Sequence, residues 1–264
     1  IAQNIKNKKI KFIALQGAMR HVWQLQNYMF KKKLIKNDLN KKFNIPYYLC
    51  FSQFEKNQSK SLGLNIGKFK LVGSLRLANF LLEIKNFKIK KNYDICLISD
   101  HGAWLDYFDK KQLDIIDQVQ NGYIKLIKWT INHCKKKGLK FIFAFKRKEN
   151  TPSFYEEINF YKKELNDSEY NFLISNASYN NEKKKFNSYY SAFQSELTIA
   201  KTSTLLREIF VCNNKILACN LTGSDLFDYP VDGICTLKNV TLEKFEKRIN
   251  TILNLSNELY FQKY

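Results

Sequence analysis

The sequence predicts an α/β protein built on parallel sheets. Apolar runs of strand length alternate with longer helix-like segments through both halves of the chain, the pattern of strands covered by helices. Hydrophobic residues make up 45% of the 264, and 15% are aromatic, so there is apolar surface enough for a core despite a formal charge of +20. At about 100–200 residues per domain, the length fits two domains or one large one.

In the first half, the apolar run 9–15 reads as a strand ending at Gln16-Gly17, 23–35 as a helix, and 47–51 as a strand opened by Pro46. A third strand at 69–72 meets Gly73-Ser74 and then a helix-like stretch over 75–84. Three strands are thin for a complete domain, which predicts that opening strands of a doubly wound sheet are missing. Ile1 stands where an initiator Met is expected, so the expectation is an N-terminally shortened chain, with no signal-peptide pattern in view.

The basic run 86–92 reads as a linker, giving domains at 1–92 and 93–264. Beyond it, the expected elements are a strand at 93–99, a helix over about 110–137 with Gly138 as its C-cap, a strand at 139–145, a helix after Pro152 and a strand at 171–174. A helix-like stretch at 189–193 precedes a strand at 197–200, the turn 201–204 and a helix from Leu205. A strand at 215–219, a long loop over 220–233, a strand at 234–237 and a helix from Thr241 complete the series, six strands in a Rossmann-like order.

Charge divides along the same line. Residues 1–92 hold 20 Lys and Arg against 3 Asp and Glu, whereas 93–264 hold 24 against 21. The basic half is compatible with an anionic partner; its richness in Lys, Asn, Ile and Phe equally fits the compositional drift of an AT-rich genome. No apolar run approaches the roughly 18 residues of a spanning helix. The six cysteines, Cys50, Cys96, Cys134, Cys212, Cys219 and Cys235, are widely spaced without a CxxC pair, which favours buried thiols in a reducing cytoplasm over structural zinc or disulfides. GxGxxG, the Walker phosphate loop, the GxSxG elbow and HExxH are all absent, and His133, in a lysine-rich segment, is expected at the surface.

Ligands of open α/β sheets bind at the carboxyl ends of the strands, so the loops following strands carry the candidate chemistry. Lys201, Ser203 and Thr204 precede a helix start, whose unpaired N–H groups and dipole favour an anion such as phosphate; Glu208, one turn on, could accept from a ribose. Plain N-capping by Ser203, with Glu208 on the solvated surface, explains the same residues. Lys146, Arg147 and Lys148 could clamp phosphate oxygens, Arg147 through its fork geometry, or form a solvated basic turn. Asp100 and His101 pair a carboxylate with an imidazole, though neighbours along a strand point to opposite faces. Gln16, Gly17, Arg20 and His21 border the end of the first strand, and Asn220, Thr222, Gly223 and Asp225 belong to a long polar loop of the kind that often binds.

The runs Ser195-Glu-Leu-Thr-Ile-Ala-Lys-Thr-Ser-Thr-Leu-Leu-Arg-Glu208, 215–223 and 228–235, together with 15–17, 51–55 and 72–76, resemble GT-B glycosyltransferases of bacterial surface carbohydrate (lipopolysaccharide or capsule) biosynthesis. The resemblance implies two Rossmann-like domains facing each other across a cleft, the C-terminal one binding the activated sugar. It implies that Arg147, Ser203 and Thr204 bind the donor phosphate, to which the residue reading adds the charge of Lys201, that Glu208 binds the ribose, and that Gln16, Gly17 and Arg20 border the acceptor side, where the residue reading also puts His21. Many retaining enzymes of this class carry two glutamates separated by seven residues, whereas Glu196 and Glu208 are twelve apart, which leaves the stereochemistry open.

The expected function is transfer of a sugar from a CMP-, UDP- or GDP-linked donor to a glycan or lipid-linked acceptor. No bound cofactor or metal is expected, and Asp100 and His101 are the catalytic candidates. The expected location is the cytoplasm, peripheral on the inner face of the bacterial inner membrane, with the basic half against anionic headgroups. A sugar-nucleotide epimerase, a basic nucleic-acid-binding protein and a non-catalytic scaffold are the alternatives; no recognised nucleic-acid module favours the second of these.

Overall fold

The computed structural model of the chain describes residues 13–16, 45–61, 64, 66–101, 113–181 and 185–263. The chain packs as two units, Ile1–Glu83 and Ile84–Tyr264. The helix expected at 23–35 and the residues Gly17, Arg20 and His21 lie outside the described residues.

The first unit contains a three-stranded sheet of β1 (Ile13–Leu15), β2 (Ile45–Cys50) and β3 (Ile66–Leu71), in that spatial order and all parallel. Helix α1 (Gln53–Ser61) connects β2 to β3, and α2 (Leu75–Ile84) follows β3. Pro46 sits at the second position of β2, near the strand end where a missing N–H is tolerated. Gly67 on β3 accommodates it, because a Cβ there would stand 2.9 Å from the Pro46 carbonyl oxygen. Ser52 and Ser74 each accept a backbone N–H at the start of the following helix, from Phe54 at 3.1 Å and from Leu77 at 3.2 Å, which explains the abrupt strand-to-helix turns.

The second unit is a doubly wound α/β sheet. Its six strands are β4 (Tyr93–Ile98), β5 (Phe141–Lys148), β6 (Ala177–Asn180), β7 (Ser195–Ala200), β8 (Lys215–Asn220) and β9 (Thr236–Lys238). They lie in the order β6-β5-β4-β7-β8-β9, every neighbouring pair parallel. Counted within the unit this is 3-2-1-4-5-6, the classical Rossmann arrangement. Leu97 lies opposite Phe143 on one side and Ile199 on the other, and Ile199 lies opposite Leu217. All four side chains are fully buried, which is why these strands read as continuous apolar runs rather than alternating ones.

The connecting helices are α3 (Leu113–Lys137), α4 (Pro152–Glu164), α5 (Asp167–Ser175), α6 (Asn187–Phe193), α7 (Thr204–Phe210), α8 (Leu242–Asn254) and α9 (Asn257–Gln262). Gly138 ends α3 at a φ of 63°, the left-handed conformation of a C-cap. The run 171–174 is the second half of α5 rather than a strand. A capping box starts that helix at Asn166, whose side chain accepts from Glu169 N while Glu169 accepts from Asn166 N, and an apolar run as short as Phe172-Leu-Ile174 cannot by itself separate strand from buried helix. The third strand of the unit is instead the polar Ala177–Asn180 at the sheet edge.

His133 is fully buried on α3 rather than at the surface. Its Nδ1 lies 3.6 Å from Glu246 Oε1 of α8, and Lys136 Nζ lies 3.5 Å from Glu246 Oε2, so α8 covers the face on which it sits. The basic stretch before β4 is partly built into the second unit, since Lys91 Nζ donates at 2.7 Å both to Ser195 O and to Asn214 Oδ1.

Candidate functional site

Strand order reverses between β4 and β7, because the chain leaves β4 towards β5 on one side and β7 towards β8 on the other. Crevices of open sheets form at such a reversal, outside the carboxyl ends of the strands. Asp100 and His101 follow β4, Lys201 to Thr204 follow β7, Asn220 ends β8, and Lys146 to Lys148 are the last residues of β5. The basic triplet is therefore a strand end and not a turn; the turn comes at Asn150, with φ of 62°.

Lys201 and Asp100 form the charged centre of this edge. Lys201 Nζ lies 3.4 Å from Asp100 Oδ2, with side-chain exposures of only 2% and 5%, and Lys146 Nζ lies 3.8 Å from Asp100 Oδ1. Burial pushes the Lys201 ammonium below its usual range, and the Asp100 carboxylate opposes that shift. The ring of Phe227 lies 5.0 Å from Lys201 Nζ, a cation–π contact that partly replaces lost hydration. The side chain read as a phosphate ligand thus ends inside the protein on a carboxylate, while Lys146 is about half exposed.

Ser203 is the N-cap of α7 and accepts from Leu205 N at 3.3 Å; Thr204 is the first helical residue and half-buried. Glu208 is buried rather than solvated and accepts from Tyr189 OH of α6 at 2.7 Å. In the loop after β8, Asn220 Nδ2 donates to Ser224 O at 2.8 Å and to Asp228 Oδ1 at 2.7 Å, and its Oδ1 accepts from Thr222 N at 3.0 Å and Thr222 Oγ1 at 2.7 Å. Gly223, at φ of 78°, donates its N–H to Asn239 Oδ1 at 2.8 Å. Asp225 opens the 3₁₀ turn Asp225–Phe227 that delivers Phe227 to Lys201. These polar side chains hold the loop in shape.

Gly122 on α3 lets this loop pack closely. A Cβ on it would stand 2.7 Å from Leu221 C and O and 2.8 Å from Thr222 Cα, so the helix backbone approaches the chain just past β8. Within the first unit, Gln16 is buried at the end of β1, its N–H donating to Leu49 O at 2.9 Å and its Oε1 accepting from Phe51 N at 3.0 Å. It clips the ends of β1 and β2 together.

A group of residues that the sequence reading passed over lies behind Asp100. Ser99 Oγ and Tyr161 OH both donate to Glu157 Oε1, the latter at 2.7 Å. Tyr161 OH and Tyr123 OH are 2.7 Å apart, and Tyr123 OH accepts from Asp100 N at 2.8 Å. Burial raises the Glu157 carboxyl to about 6, against the lowering effect of these hydroxyls, Arg147 and Lys146. His101 stacks on Phe160 with ring centroids 4.3 Å apart. Burial and then Arg147 hold the imidazole down at about 4, so it is neutral near pH 7. The Glu157–Tyr161 spacing of four on one helix was a visible signal; its partners on β4 and α3 come together only in the fold.

The structure thus brings Lys146 and Lys201 onto Asp100, couples Arg147 electrostatically to His101 and Glu157, and gives Gln16, Ser203, Asn220 and Thr222 local hydrogen-bonding work. Compared with known proteins, the chain matches no protein-family model and no curated protein at a significant level.

Proposed function

We propose that the second unit binds the phosphate-bearing part of a nucleotide-activated sugar at the carboxyl end of its sheet, and that the chain is a glycosyltransferase of the GT-B kind. The observation that carries this reading is the convergence of the loops after β4 and β7 and the basic end of β5 at the strand-order reversal of a 3-2-1-4-5-6 sheet. Lys146 and Arg147 supply cations for the phosphate oxygens, and Ser203 and Thr204 at the start of α7 supply hydroxyl and backbone donors. The paired Lys201 holds a fixed positive end next to Asp100, which needs no reorganisation when charge develops on the leaving phosphate.

In this reading the bond between the anomeric carbon and the phosphate oxygen breaks, the nucleotide leaves with the electron pair, and an acceptor hydroxyl attacks the anomeric carbon. Its proton passes to a base if the configuration inverts; the neutral His101 imidazole is the candidate. Glu208, which accepts from Tyr189 OH, is the ribose partner in this reading. The first unit takes the acceptor, a glycan or lipid-linked sugar of a bacterial surface polymer, and its basic residues meet anionic headgroups on the cytoplasmic face of the inner membrane. No helix among the described residues is long and apolar enough to cross a membrane.

Thermal unfolding in the presence of UDP-, GDP- and CMP-sugars tests the reading. Ligand at about 100 times its Kd adds roughly 2.7 kcal/mol of stability, and the shift should shrink in a Lys146→Ala/Arg147→Ala variant. No shift with any of these donors, or with the nucleoside diphosphates and CMP alone, counts against it. Product analysis without acceptor separates transfer from epimerisation.

A further inference from the structure

We infer that Glu157 is a positioning residue whose protonation state controls how firmly the carboxyl end of β4, and with it Asp100, is held. The direction of every hydrogen bond in the buried network follows from its partners. Tyr161 spends its proton on Glu157 Oε1, so Tyr123 must donate to Tyr161, and Asp100 N–H in turn donates to Tyr123. The chain Asp100 N–H, Tyr123, Tyr161 therefore ends on the same carboxylate oxygen that takes the Ser99 hydroxyl. Glu157 grips two consecutive residues of β4's end, Ser99 directly and Asp100 through two tyrosines.

Glu157 is fully buried, and its second oxygen, Oε2, has no hydrogen-bond partner among the described residues. A carboxylate held only for structure would have both oxygens satisfied; this one leaves an open position at which a proton can be held. With the carboxylate ionised, both hydroxyl donors make charge-assisted bonds and polarise the chain towards it; with a proton on Oε2, they become ordinary neutral bonds. The charged and titratable groups acting on it are Tyr161 on its own helix, Tyr123 from α3, and Lys146 and Arg147 from β5; Asp100 joins through its N–H on Tyr123, and His101 interacts with Arg147 and Asp100. Lys201 of the β7 end is linked through Asp100. The two β5 cations favour the ionised form, burial the neutral one, and the two opposing effects leave the carboxyl to titrate at about 6.

This inference concerns the hold on Asp100 and does not depend on what binds at the sheet edge. Amide hydrogen exchange at Asp100, expressed relative to the intrinsic rate at each pH, tests it in the full chain without ligand. In the wild type, protection should fall about fivefold as pH drops from 7.5 to 5, the ratio expected between charge-assisted and neutral bonds, with a midpoint near 6. Glu157→Gln keeps an acceptor at Oε1 but no charge, and should show low protection without a pH step. Tyr123→Phe, which removes the bond to Asp100 N–H and leaves Glu157 in place, should lose the step as well. A flat wild-type profile, or a step that survives in either variant, overturns the inference. Loss of nucleotide binding with the step intact would instead count against the proposed function alone.

Discussion

Removing the Asp100 carboxylate should destabilise the protein more than removing the Lys201 ammonium. The two groups are 3.4 Å apart with 5% and 2% of their side chains exposed, so at an effective dielectric of about 20 their attraction is roughly 5 kcal/mol. Asp100→Asn forfeits this while Lys201 stays buried, and loss of one member of a buried pair typically costs about 3–5 kcal/mol. Lys201→Met leaves Asp100 with Lys146 at 3.8 Å and fills the space beside Phe227 with an apolar chain, so its cost should be roughly 1–2 kcal/mol lower. The double variant should cost clearly less than the sum, with a coupling of about 3 kcal/mol. Urea unfolding of the four proteins at neutral pH measures each term. A coupling under about 1 kcal/mol, or Lys201→Met as the more damaging change, would refute the assignment of Lys201 and Asp100 as a mutually dependent buried pair.

Four further outcomes follow from the same structure. Gly122→Ala should destabilise by about 1–3 kcal/mol despite the better helix propensity of Ala, because its Cβ meets backbone at 2.7 Å; an unchanged urea midpoint would contradict the close approach. The Glu157 carboxyl is raised from 4.5 to about 6 by burial, so its contribution against full unfolding, which returns it to water, is full below pH 4.5 and is lost as pH rises through 6, the opposite sense to a local opening at Asp100 that leaves Glu157 buried. Relative to Glu157→Gln, the wild type should therefore lose roughly 2 kcal/mol between pH 4.5 and 7.5, as read from urea midpoints at each pH. Of the six free cysteines only Cys212 is not buried, and burial lifts Cys134 and Cys219 to about 12; a thiol reagent should label one site in the native protein and six after denaturation. If the basic first half meets a membrane, flotation with vesicles should require anionic lipid and fall with added salt.

The fold of the second unit was legible because its strands are buried on both faces. Runs such as 95–98 and 216–219 are apolar without alternation, and each is followed by polar residues at a helix start or loop. That is sequence-local information, and it located strand ends near Asp100, Lys146, Lys201 and Asn220. It failed where the signal was tertiary. β6 is short, polar and at the sheet edge, so its neighbour in α5 carried the stronger apolar pattern. His133 stands among lysines in sequence yet faces α8 in space. Glu157 carries one local sign, Tyr161 four residues on, but nothing local indicates that Ser99 and Tyr123 join them.

Net charge located the site no better. The excess of seventeen positive charges belongs to residues 1–92, but the cations gathered around one carboxylate, Lys146 and Lys201, come from the nearly balanced half. The reason is range: a charge on an exposed surface is screened within about 10 Å at 0.1 M salt, whereas a buried cation within 4 Å of a buried carboxylate, as Lys201 is, is screened far less and holds a fixed position. Diffuse basic composition can concentrate a polyanion or a lipid surface near the protein, but it selects no orientation. Selecting one requires a charge that the fold has immobilised, and Lys201, held between Asp100 and Phe227 at the end of β7, is such a charge. Neutralising exposed lysines of the first half should therefore change how a polyanion or lipid surface accumulates, whereas Lys201→Met should act on the stability of the sheet edge.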